Sequence, residues 1–202
     1  MIFQLLGEEY WNMAALKDPY NAICDGATKE QFDRAIGSLA FKYFKFNKKM
    51  VFLDLGCGVG RIAKKVAPNV EEYYGVDVSA NMIKLAREYN KEIGNVFFFK
   101  NDGCSLKMFK DNFFDAIVAE LVVQHITREN FKAYLLEIHR VLKPAGTLVI
   151  QVPRFDFYKK PEFSYRKEEL SGLFKDFIFD EEIGYGKNNV VAYFEIVGRP
   201  KK

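Results

Sequence analysis

The stretch Val51-Phe-Leu-Asp54-Leu-Gly56-Cys57-Gly58-Val59-Gly60-Arg61 constrains the fold more than any other part of the chain. The run Val51 to Leu55, apolar but for Asp54, has the length of a buried strand. Glycines then stand at every second position, at 56, 58 and 60. Glycine tolerates positive φ and puts no Cβ in the way of a ligand, so the turn suits something that approaches at backbone distance. Ile62 to Ala67 suits a short helix that Pro68 ends. The start of that helix offers free N–H groups and partial positive charge. Strand, glycine turn and helix together indicate a nucleotide-binding α/β fold, and the spacing decides which kind. The dinucleotide fingerprint is G-x-G-x-x-G, whereas this turn reads G-x-G-x-G with Asp54 two places ahead of it. A carboxylate there suits a ligand with an ammonium group better than a pyrophosphate. The phosphate-loop pattern G-x-x-x-x-G-K-[ST] does not occur.

Two acidic positions downstream extend the pattern. Glu72 to Ser79 reads as a second strand, and Asp77 lies 23 residues beyond Asp54. A carboxylate at a strand end can accept two hydrogen bonds from a ribose, as the acid about 20 residues on does in dinucleotide folds. The competing role, capping the next helix, suits Ser79. Ala80 to Tyr89 then carries Met82, Ile83, Leu85 and Ala86 at helical spacing. Val78 and Met82 are candidates to border the sugar or base, with helix-core packing the competing role for Met82. Val96 to Lys100 is a third strand, followed by Asn101-Asp102-Gly103. The Asp102 carboxylate can accept from an exocyclic amine and the Gly103 N–H can serve a ring nitrogen, which together would read adenine. A plain Asp-Gly turn is the alternative.

Four segments, Asp54 to Gly60, Gly75-Val-Asp77-Val-Ser79, Asn101-Asp102-Gly103 and His139-Arg-Val-Leu-Lys-Pro-Ala-Gly-Thr-Leu148, closely resemble the class I S-adenosylmethionine-dependent methyltransferases in order and distance. The resemblance covers roughly residues 47–153. It implies a single-domain, Rossmann-like, doubly wound α/β fold: a seven-stranded, mostly parallel sheet with an antiparallel C-terminal hairpin. It implies S-adenosylmethionine as cofactor and S-adenosylhomocysteine as product. Asp54, Gly56, Cys57, Gly58, Gly60, Asp77, Val78, Met82, Asp102, Gly103 and Glu120 are the expected cofactor contacts. The last segment resembles the quinone-biosynthesis type, which implies a small-molecule acceptor. Methyltransferases of RNA or protein, and a non-catalytic partner subunit, are the alternatives; the glycine spacing makes a nicotinamide oxidoreductase a distant one.

Asp111 to Glu120 reads as the fourth strand, and in the family the residues just past it face the acceptor. Here they are Glu120 to Ile126, without the Asn-Pro-Pro-Tyr or Asp-Pro-Pro-Tyr signature of amine-methylating branches. His125 has two readings, a general base or a structural residue packed beneath the site, and the structural one is favoured. Thr127 suits the cap of a helix over 128–142, with Phe131, Tyr134, Leu135, Ile138 and Leu142 on its buried face. Lys143-Pro-Ala-Gly146 breaks that helix before a fifth strand, Thr147 to Val152. The basic, aromatic segment Arg154 to Lys167 suits a loop that holds an anionic or aromatic acceptor, with Arg154, Tyr158 and Arg166 as candidates. A solvated loop and an RNA-facing patch are its other readings. A helix over 167–174 and strands at 177–183 and 190–197 follow.

At the other end, Glu8 to Leu16 suits a short helix, and Trp11 and Tyr20 are either a lid at the acceptor site or packing at the sheet edge. Thr28-Lys-Glu-Gln31 reads as a capping box for an amphipathic helix ending near Phe44. The chain thus divides into an N-terminal helical segment, 1–45, serving as lid and sheet-packing helix, and a cofactor-binding core, 46–202. With 49% hydrophobic and 28% charged residues, the composition is that of a folded domain. No apolar run has the length of a membrane span, and no signal peptide is evident, so the expected location is cytoplasmic. The net charge of +3 leaves nucleic acid possible but not favoured. Cys24, Cys57 and Cys104 match neither a zinc pattern nor a disulfide framework, and no metal is expected. Oligomeric state is left open.

Overall fold

The structure, a computed structural model, describes residues 7–19, 39–158, 163–184 and 193–202. Its strands form one seven-stranded sheet of order β3-β2-β1-β4-β5-β7-β6. The expected sheet, mostly parallel with an antiparallel C-terminal end, is what the chain builds. Two compact units divide it, 1–103 and 104–202.

In the first unit, β1 (Val51–Leu55), β2 (Glu72–Asp77) and β3 (Val96–Lys100) run parallel. Phe52 pairs with Tyr73 and Tyr73 with Val96, so side chains alternate in step across the three strands. On one face Phe52 stacks on Tyr73, and Tyr73 meets Phe98 edge-on. On the other face Tyr74 stacks between Phe97 and Phe99, both more than a third exposed. Strand β3 ends the sheet order. The Asn95 carbonyl accepts from Tyr73 on β2, so the Phe98 carbonyl, three residues on, points to the outer edge. The Arg87 guanidinium occupies it at 2.6 Å.

Helices of this unit follow the predicted faces. α1 spans Glu8–Lys17, α2 is Leu39–Tyr43, α3 is Ala63–Val66 and α4 is Ala80–Tyr89. Ser79 caps α4 by accepting from the Met82 N–H, and Met82, Ile83 and Ala86 are buried. α3 is shorter than expected. Pro68 falls inside a following 3₁₀ turn, Ala67–Asn69, because a first-turn proline has no hydrogen bond to lose. Tyr20, Cys24 and the capping box at Thr28 lie outside the described residues, as does most of the helix predicted to follow it.

In the second unit, β4 (Phe114–Ala119) pairs parallel with β5 (Leu142–Pro153). Between them runs α5 (Arg128–Val141), capped by Thr127, with Phe131, Tyr134, Leu135, Ile138 and Val141 buried. β5 starts earlier than expected, directly at Leu142. Phe114 pairs with Leu142 and Ala116 with Thr147, so the Lys-Pro-Ala-Gly stretch is taken up in a register shift. A bulge has no ladder bond for Pro144 to break, and a 2.8 Å ion pair joins Lys143 to Asp115 on β4. The segment predicted as a loop contains a short helix, α6 (Phe155–Tyr158), before α7 (Lys167–Leu173). β7 (Tyr193–Pro200) then lies antiparallel between β5 and β6 (Phe177–Gly184). Among the described residues no helix is long and apolar enough to cross a membrane, and no cluster suits a metal ion.

Candidate functional site

The first unit gathers most of the predicted cofactor residues at the ends of β1, β2 and β3. Gly56, Gly58 and Gly60 all have positive φ, at 74°, 53° and 69°. Gly60 is bound twice over: its φ suits glycine, and a Cβ there would lie 2.6 Å from the Asn90 side-chain nitrogen and 2.8 Å from the Phe98 ring. The Gly56 and Cys57 N–H groups donate to the Val76 carbonyl, which ties the turn to β2.

Asp77 is the best-defined group of the site. Its Oδ2 accepts from the Gly58 N–H and its Oδ1 from the Ser79 N–H, both at 2.9 Å. These two bonds fix the carboxylate plane. A carboxylate oxygen can accept more than one hydrogen bond. Burial raises the carboxyl above its ordinary value, and the Ser79, Gly58 and Val78 amides offset part of that. Asp54 is 6% exposed, just before the glycine turn. Between these acids sits Cys57. Burial first, then the charges of Asp54 and Asp77, hold its thiol protonated well above the usual range. Gly103 turns at φ 80°, and a Cβ there would come within 3.4 Å of Val78. Asp102 beside it is exposed. Two backbone turns, two carboxylates and a narrow approach between Gly103 and Val78 fit an adenosine with an ammonium-bearing tail.

Helix α1 docks beside this cradle. Asn12 Oδ1 accepts from the Ser79 hydroxyl at 2.7 Å and from the Asn81 N–H at 3.2 Å, while the Asn81 amide donates back to the Asn12 carbonyl. Trp11, Ala14 and Ala15 pack on Val59 of the glycine turn and on Met82. Met82 is 1% exposed and serves that packing. Neither Asn12 nor Tyr73, which bonds to Asp54, was among the expected residues. Strand parity signals Tyr73, since it shares a face with Asp77, two pleats on. No local signal marks Asn12, whose partner Ser79 is 67 residues away.

The described segment with the first unit's motifs matches the methyltransferase-domain family over residues 53–150. The chain is 33% identical over 98 residues to the demethylmenaquinone methyltransferase of Tropheryma whipplei (strain Twist), covering 48% of this chain and 39% of that protein. It is 32% identical over 127 residues to carboxy-S-adenosyl-L-methionine synthase 1 of Yersinia pseudotuberculosis (serotype IB, strain PB1/+), covering 59% of this chain and 52% of that protein. Residues 53–150 thus read as a methyltransferase domain. The chain spans about half the length of those curated relatives or less. The crystal structure of the PH0226 protein from Pyrococcus horikoshii OT3 superposes with a TM-score of 0.71 at 26% identity, covering 94% of this chain and 98% of that one.

The second unit of the methyltransferase domain holds the other candidates. Glu120 is half-buried just past β4 and precedes Leu121, whose φ of 59° is rare for a branched residue. The Gln151 side chain accepts from the Leu121 N–H at 3.1 Å and holds that strained turn. His125 ends the 3₁₀ turn Val123–His125, and burial lowers its pKa to about 4. Its imidazole is therefore neutral at pH 7, which suits a packed residue. Arg154 is taken by Asp156 through a 2.5 Å ion pair. Arg166 stacks on Phe155 at 4.0 Å. Arg128 forks onto Glu169 at 2.6 and 3.1 Å, and that pairing lowers the Glu169 carboxyl to about 2. Within 154–167, Arg154 is thus engaged by an acid and Arg166 by a ring. Tyr158 ends α6, with its side chain outside the described residues.

Proposed function

We propose that the protein transfers a methyl group from S-adenosylmethionine to a small-molecule acceptor. The observation that carries this is the Asp77 carboxylate, fixed at the end of β2 by the Gly58 and Ser79 amides. Two adjacent ribose hydroxyls match that pair of acceptors. In this reading Asp54 faces the ammonium of the methionine end, Val78 and Gly103 border the adenine, and Asp102 accepts from its amine. Glu120, on the turn after β4, is a further cofactor-side candidate.

S-adenosylmethionine supplies a methyl group on a sulfonium, an electrophile that needs no further activation. The chain's own work is therefore to bind, orient and exclude water, which is catalysis by proximity. A dedicated base is optional, and the neutral, half-buried His125 fits a supporting role beneath the acceptor. Residues 1–45 act as lid and sheet-packing segment in this reading, and 46–202 as the core. Trp11, Tyr20, Arg154 and Tyr158 are the acceptor-side candidates. The relatives named for demethylmenaquinone and carboxy-S-adenosylmethionine support a small acceptor. The ion-paired arginines of 128–166 weaken the case for a nucleic-acid face.

The test incubates the purified protein with methyl-labelled S-adenosylmethionine and a cell extract. Label in the small soluble or lipid fraction is expected. Label that precipitates and is freed by ribonuclease or protease would replace the small acceptor with RNA or protein.

A further inference from the structure

Tyr73 has no part in the cofactor cradle as read from motifs, yet its phenol donates a 2.5 Å hydrogen bond to Asp54 Oδ2. The residue is 0% exposed. Register brings the two together. Phe52 pairs with Tyr73 and Asp54 with Gly75, so all four positions share one face of the β1–β2 pair. Gly75 lets Phe98 and Cys57 close in on that face beyond the ring: a Cβ there would lie 2.6 Å from Phe98 and 2.9 Å from the Cys57 sulfur. Phe52 stacked on one side and Phe98 edge-on at the other hold the ring in place.

The surroundings give this bond a purpose. The Cys57 thiol, in the glycine turn, feels both Asp54 and Asp77, and Asp77 ends β2. Arg61, at the far end of the turn, acts on Tyr73. Asp54 is nearly buried, and burial disfavours its ionised form. An O–H donor aimed at the oxygen favours the ionised form and is among the stronger kinds of hydrogen bond.

We propose that Tyr73 is a positioning residue for cofactor capture, its phenol holding Asp54 ionised and in one orientation toward the ammonium of S-adenosylmethionine. The inference rests on the cofactor reading above. Tyr73 itself does not touch the cofactor; it acts through Asp54.

The test is calorimetry on the full chain and on Tyr73→Phe, with two ligands. S-adenosylhomocysteine carries the ammonium; 5′-methylthioadenosine keeps the adenosine and sulfur but lacks the amino-acid end. Tyr73→Phe should weaken S-adenosylhomocysteine about tenfold and methylthioadenosine less than about twofold, as loss of one charge-assisted bond would. Taking the ratio of the two affinities cancels Asp77, which in the proposed reading serves the ribose common to both ligands. Equal weakening of both ligands, or none, would overturn the inference and leave the cofactor reading standing. A wild type that binds neither ligand would overturn both. Should Tyr73→Phe not fold, Asp54→Asn decides: a selective loss of S-adenosylhomocysteine over methylthioadenosine supports capture through Asp54, and an equal loss, or none, sinks it.

Discussion

Asp77 and His125 are two half-buried titratable side chains whose environments push them in opposite directions, and each makes a prediction. Asp77→Ala should raise the Kd for S-adenosylmethionine by more than about tenfold, since two charge-assisted bonds are lost. Unchanged affinity on calorimetry would remove Asp77 from the site. Because burial raises the Asp77 carboxyl, it takes up a proton at a higher pH than an ordinary carboxyl, and a protonated acid is a poorer acceptor. Wild-type affinity should therefore weaken on acidification before ordinary carboxylates titrate; affinity that holds level to about pH 4 would contradict this. For His125 the folded pKa of about 4 lies below its ordinary 6.5. The unfolded chain then takes the proton first. His125 contributes stability that is present above about pH 6.5 and lost as pH falls toward its folded value, at most about 3 kcal/mol. Denaturant titrations should show a shallower acid-side loss in His125→Ala than in wild type. The same variant should keep turnover within about tenfold, and a loss beyond about a thousandfold with donor affinity intact would make His125 a base after all.

At the scale of elements, the α1 dock turns on one side chain. Asn12 accepts from Ser79, and Ser79 in turn donates its N–H to Asp77, so the helix is tied to the group proposed to hold the ribose. Asn12→Ala should cost about 1 kcal/mol. The loss should be local, with faster hydrogen exchange in α1 and a red-shifted emission from Trp11, the only tryptophan in the chain. Uniformly faster exchange across β1 to β3 would mean that Asn12 supports the whole unit. Such docking was not legible in the sequence, because a bond across 67 residues leaves no periodic trace. What was legible had local causes. The faces of α4 and α5 follow helical spacing, and the caps at Ser79 and Thr127 were placed from residue type alone. The early start of β5 escaped because Lys-Pro-Ala-Gly carries turn chemistry, and only pairing with β4 overrides it.

For the whole molecule, the seven-stranded, mostly parallel sheet with its antiparallel C-terminal end came from family resemblance rather than from any spacing in the chain, since periodicity does not say which strands are neighbours. Asp54, Asp77 and the three glycines were legible because their spacing is itself the signal. Tyr73 was legible only as a side chain on the Asp77 face, because its bond to Asp54 depends on the register between two strands. Register also places β3 at an end of the sheet, with Phe97 and Phe99 exposed and Tyr74 stacked between them. A rim of this kind is a template for another chain's backbone. The Arg87 guanidinium covers the outward Phe98 carbonyl and so removes an acceptor that an added strand would use. Arg87→Ala should therefore scatter more light at high concentration and show larger species on sedimentation, while keeping its cofactor affinity. One side chain on a neighbouring helix thus limits how crowded this protein becomes before its own sheet begins to recruit copies of itself.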